Sequence, residues 1–151
     1  ITSEIVSFPR TPVEITFYST MALTFALGIY FYLNGKGGYL FSLTSIATFL
    51  VSVIALISFI CLYFYELPTH HCPFCILQKE YRYVGYLIYI TLLGGAVSGL
   101  GVGMIMPFKK INSLLNVIPS LQRKLTGLVL ISYAIFLGTV FLQMIFSNLK
   151  L

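Results

Sequence analysis

The residues able to do chemistry crowd into one stretch, "YELPTHHCPFCILQKEYRYVGY", Tyr65 to Tyr86. The chain has three cysteines and two histidines, and four of these five, His70, His71, Cys72 and Cys75, fall in the run "HHCPFC". Two thiols separated by two residues are the minimal unit for reversible disulfide chemistry. If a helix starts at the pair, its unpaired N–H groups and partial positive charge stabilise a thiolate. A larger thiolate fraction and a better leaving group both favour disulfide exchange. Pro73 suits a first helical turn, and Lys79 and Arg82 add positive charge one and two helical turns further on. His70 or His71, titrating near neutral pH, can carry the proton that exchange releases; as bland side chains they are solvated loop residues.

The same run also offers a ligand set. Two imidazoles and two thiols, His70, His71, Cys72 and Cys75, match a tetrahedral zinc or a soft Cu(I) site. Against this, the histidines are adjacent, and adjacent side chains diverge in extended backbone, so four ligands on one ion would strain the loop. A haem-attachment motif is excluded, since histidine does not follow the second cysteine. A third reading is a structural disulfide in a membrane anchor or complex subunit. A loop this short gains little stability from closure.

What must position these groups is a lipid-soluble scaffold. The chain has 151 residues, 58% hydrophobic and only 9% charged, with a mean hydropathy of +0.95. Soluble domains carry about 25% charged residues. Four apolar segments, near 13–33, 39–65, 83–108 and 126–147, each reach the roughly 20 residues a bilayer crossing needs. Their runs do not alternate as barrel strands do. The expectation is therefore an all-α, four-transmembrane-helix bundle in a single transmembrane domain. "NGKGG" at 34–38 forms a tight turn. In "KKINSLLNVIPSLQRK", Ile111, Leu114, Leu115, Ile118 and Leu121 recur at helical spacing, predicting a short amphipathic interfacial helix over 111–121, interrupted near Pro119, with an anionic-lipid anchor as its role.

Four crossings put the 34–38 and 109–125 loops on one side, with Lys36, Lys109, Lys110, Arg123 and Lys124 and no acid. The other side holds Arg10, Lys79, Arg82 and Lys150 with Glu4, Glu14, Glu66 and Glu80. The basic cluster flanking the last two spans places that loop in the cytoplasm. The cysteine pair then faces the outside, where disulfides persist. Membrane topology accounts for the net charge of +5, with no nucleic-acid partner. No segment reads as a removable signal, and the opening Ile1 leaves room for an upstream piece.

Small residues Gly95, Gly99 and Gly103 recur every fourth position in span three, a surface for close helix approach within the bundle. Gln143 and the scattered serines and threonines read as partners for hydrogen bonds between helices. Cys61, alone in span two, reads as a packing residue. Tyr81, Tyr83, Tyr86 and Tyr89 form an interfacial belt, and Tyr86, about three helical turns past Cys75, is the one placed to line a groove.

"CPFCILQK" at the head of a transmembrane segment resembles the signature of DsbB-type disulfide-bond formation proteins. The related vitamin K epoxide reductase family also keeps a C-x-x-C at the membrane face of a four-helix bundle. The resemblance implies that Cys72 and Cys75 pass electrons from protein thiols to a bound quinone. It implies an extracytoplasmic thioredoxin-like partner and a bacterial inner membrane location. Lys79 stands where the DsbB pattern has an arginine near the quinone; Arg82 and Tyr86 are the further quinone-binding candidates. The chain departs from the pattern in two ways. It lacks the second cysteine pair, and its motif precedes span three rather than opening span two.

Overall fold

A computed structural model describes residues 10–65, 73–79, 83–110 and 117–147. Backbone polar groups in hydrocarbon have no water to bond, so each crossing must satisfy them within itself. Every regular element among the described residues is helical. Four are long and apolar enough to span a membrane: α1 (Arg10–Asn34), α2 (Gly38–Tyr65), α3 (Val84–Ile105) and α4 (Val117–Phe146). The protein is an all-α helical bundle of the integral membrane kind. Leu43, Leu50, Ile90 and Ile131, each more than half exposed, lie on its outer surface, as side chains facing lipid do.

The α1–α2 connection is a glycine turn. Gly35 donates to the Phe31 carbonyl at 2.8 Å, and Gly37 takes φ 88°, a left-handed conformation that costs glycine no Cβ clash. The helices around it run antiparallel. Beyond α3, Pro107 lacks a donor N–H, and the backbone tightens into a 3-10 turn, Met106–Lys110. Helix α4 begins at Val117, well before the expected Thr126. Pro119 does not interrupt it. Val117–Leu121 of the expected amphipathic segment are thus the start of α4; residues 111–116 lie outside the described residues.

Helix α2 is not uniform. After Gly38–Ala55 it passes through a π turn, Leu56–Ile60, where the Cys61 N–H reaches back to the Leu56 carbonyl, and ends in a last α-helical turn, Cys61–Tyr65. A π turn is an α-helix holding one extra residue.

Sequential helices pack as neighbours, and a thinner α1–α4 contact closes the ring. Lipid tails are as apolar as leucine, so close packing and hydrogen bonds hold the bundle together. Phe17 of α1 meets Phe59 of α2 and Phe136 of α4 edge-on, with centroids 5.9 and 6.1 Å apart. Such pairs add to what burial alone provides. The glycine stripe of α3 works inside the bundle: a Cβ on Gly95 would stand 2.6 Å from the Tyr133 ring of α4, and Gly99 and Gly103 face Ser45 and Ser42 of α2.

Hydroxyls line the buried face of α2. The Tyr133 hydroxyl donates to the Ser45 carbonyl at 2.9 Å. Thr48 shares a 2.6 Å hydrogen bond with Thr24 of α1 and donates to the Thr20 carbonyl at 3.2 Å. Gln143 Nε2 donates to the Tyr63 carbonyl at 3.4 Å, the interhelical role expected of it.

Candidate functional site

Part of the cysteine motif is described, from Pro73 to Lys79. Pro73 and Phe74 form a turn that leads into one 3-10 turn, Cys75–Leu77. Leu77 N–H donates to the Phe74 carbonyl and Gln78 N–H to the Cys75 carbonyl, each at 3.1 Å. Gln78 then turns extended, with φ −76° and ψ 156°, and the turn ends. Tyr83 caps α3 in a left-handed conformation, φ 57°, and the helix proper starts at Val84.

This corrects the expectation that the transmembrane helix starts at the motif. Cys75 does not sit in the first turn of α3, nor does Pro73. Extended Gln78 breaks the helical register, so Lys79 is not one helical turn on from Cys75, and Tyr86 is not three. A helix-end field on the sulfur cannot be read from chain continuity.

The loop gains its position sideways. Ile76 is fully buried. Its backbone lies so close to buried Gly85 that a Cβ there would stand 2.8 Å from the Ile76 carbonyl carbon and 2.9 Å from its oxygen. Four residues along, on the same face of α3, the Tyr89 hydroxyl donates to the Pro73 carbonyl at 2.8 Å. Residues 73–77 are therefore fastened along the first two turns of α3.

Cys75 is half-buried, with one side packed on the hydrophobic core. Phe74, beside it, is 71% exposed. Lys79 is exposed. Tyr83 and Tyr86 are exposed too, their ring centroids 6.1 Å apart, and they share a face of α3 other than the one carrying Gly85 and Tyr89. Cys61 is fully buried in the core, directly after the π turn.

His70, His71, Cys72 and Arg82 lie outside the described residues, so three of the four candidate metal ligands do as well. Sequence reasoning missed Gly85 and the fastening role of Tyr89. Their signal is a glycine and a tyrosine four apart at the head of an apolar run, one letting a backbone approach and the other reaching a carbonyl.

No protein-family profile, curated protein or solved structure matches the chain.

Proposed function

We propose that the protein is a membrane thiol–disulfide oxidoreductase in which Cys72 and Cys75 exchange electrons between a partner's thiols and a quinone. The observation that carries this reading is the setting of Cys75. It lies on a short turn fastened to α3, half-buried against the bundle core and half open. One side of such a sulfur borders apolar surroundings, and in this reading the other is reached from the aqueous side. The likeness of "CPFCILQK" to the DsbB signature supports the same reading.

In this scheme a thiolate of the reduced partner attacks Cys72 of the Cys72–Cys75 disulfide. A mixed disulfide forms on Cys72, and the electron pair of the broken S–S bond leaves on Cys75. The partner's second thiol then resolves the mixed disulfide, leaving the partner oxidised and the chain's pair as two thiols. A quinone, when bound, supplies an acceptor for the two electrons and two protons released as the pair returns to the disulfide. Lys79, Arg82 and Tyr86 would hold it. Exposed aromatic rings at Phe74, Tyr83 and Tyr86 with a cation at Lys79 suit a flat apolar ring bearing carbonyl oxygens. His70 or His71 carries the released proton.

The pair faces the outside of a bacterial plasma membrane in this reading, because the basic cluster at the other end of the bundle belongs in the cytoplasm. The partner is an extracytoplasmic thioredoxin-like protein. Quinol formation in detergent, compared between the intact protein and Cys75→Ser, tests the function. Loss of quinol formation in the variant is expected; an unchanged rate removes the proposal.

A further inference from the structure

At the end of the bundle opposite the cysteine loop, a groove of about 420 Å³ opens between the last turns of α1 and the start of α4. Tyr32, Pro119, Ser120, Arg123, Lys124 and Gly127 line it. A hollow of about 310 Å³ adjoins it through Ser120 and Lys124. Two side chains carry fixed positive charge, two carry hydroxyls, and the rest of the lining is apolar. The chain's four acids, Glu4, Glu14, Glu66 and Glu80, all belong to the stretches before α2 or between α2 and α3, away in sequence from this lining.

Depth in the membrane narrows the ligand. Helix α4 has 30 residues, about 45 Å at 1.5 Å per residue, against a hydrocarbon core of about 30 Å. The surplus lets its first turns, with Arg123 and Lys124, stand at headgroup level. A guanidinium fork pairs with two oxygens of one phosphate, and a lysine adds a point charge.

We propose that this groove is a phosphate-binding site, taking the phosphodiester of an anionic membrane lipid or a free phosphate group. Arg123 and Lys124 hold the anion, Ser120 and Tyr32 donate hydroxyl hydrogen bonds, and the Tyr32 ring, Pro119 and Gly127 accommodate the adjoining apolar part. Gly127 keeps the floor open, since a Cβ there would meet no atom within 4 Å. This site is independent of the cysteine chemistry.

The test is thermal unfolding of the full chain in detergent at fixed ionic strength. Short-chain phosphatidylglycerol, short-chain phosphatidylcholine and inorganic phosphate are titrated separately. Stabilisation by phosphatidylglycerol and not by phosphatidylcholine is expected. An additional response to inorganic phosphate assigns the site to free phosphate as well; its absence assigns the site to lipid. Arg123→Gln with Lys124→Gln should weaken phosphatidylglycerol binding roughly tenfold or more. Gly127→Leu changes no charge and puts a side chain into the groove, and it should weaken binding comparably. No stabilisation by either anion overturns the site. So does full binding by Gly127→Leu, which would reduce the effect to diffuse surface attraction.

Discussion

The Tyr89 hydroxyl donates to the Pro73 carbonyl across 2.8 Å, joining the middle of the cysteine motif to the second turn of a membrane helix. Together with the close approach of Ile76 to Gly85, this bond means that the half-buried Cys75 owes its position to lateral docking. Where the sulfur sits then depends on how firmly the loop is held.

Tyr89→Phe keeps the ring and removes the donor. A hydrogen bond of this kind contributes about 1 kcal/mol net, roughly a fivefold change in an opening equilibrium. Alkylation of Cys75 in the reduced protein should therefore quicken roughly fivefold, with the unfolding midpoint little changed. Gly85→Val, which must push the Ile76 backbone away, should quicken it further. Equal alkylation rates in all three proteins would show that docking does not control access.

Glycines of different surroundings should behave oppositely. Gly95→Val drives a branched side chain into the Tyr133 ring, and overpacking of this kind costs about 1–3 kcal/mol. At Gly138 a Cβ meets nothing within 4 Å, so Gly138→Ala should stabilise by about 0.5–1 kcal/mol through helix propensity alone. Denaturant titration in mixed micelles measures both. Similar losses from the two substitutions would contradict the role of Gly95 in seating α3 on α4.

Ser52 is fully buried, and its Oγ has no hydrogen-bond partner among the described residues. An unsatisfied buried hydroxyl is unfavourable by about 1–3 kcal/mol. Ser52→Ala should leave stability unchanged or raise it. A clear drop in the unfolding midpoint would mean that the hydroxyl is bonded after all.

Orientation can be read with membrane-impermeant maleimide on intact cells, using single cysteines in a background whose native cysteines are serine. Phe74→Cys, at a position 71% exposed, should label from outside. Lys36→Cys, in the exposed α1–α2 turn, should label only after permeabilisation. The reverse pattern would place the cysteine loop on the cytosolic face and end the redox proposal.

The helical scaffold is largely legible in the sequence because lipid leaves the backbone few options, and the 34–38 turn is legible because Gly35 and Gly37 supply positive φ. The inward use of Gly95 and Gly99 follows from their spacing alone. Pro119 misleads: it reads as an interruption, yet α4 runs through it without a break. The turn before α3 misleads for another reason. The extended Gln78 has no sequence signature, since any residue adopts that conformation, and the left-handed Tyr83 has none, since tyrosine rarely does. Both accompany the docking of Ile76, a contact between residues nine apart that periodicity does not register. The same folding-back separates Lys79 and Tyr86 from the helical register that "CPFCILQKEYRYVGY" suggests.

The π turn at Leu56–Ile60 makes this end of α2 unusually tolerant of a one-codon deletion. Removing the one extra residue there would rewind the segment to regular α-helix and leave everything beyond it on nearly the same face of α2. Cys61, Phe64 and Tyr65 would stay on the core they now fill. A deletion of equal size in the regular part of α2, Gly38–Ala55, meets no bulge and would rotate one part of the helix by about 100° against the other.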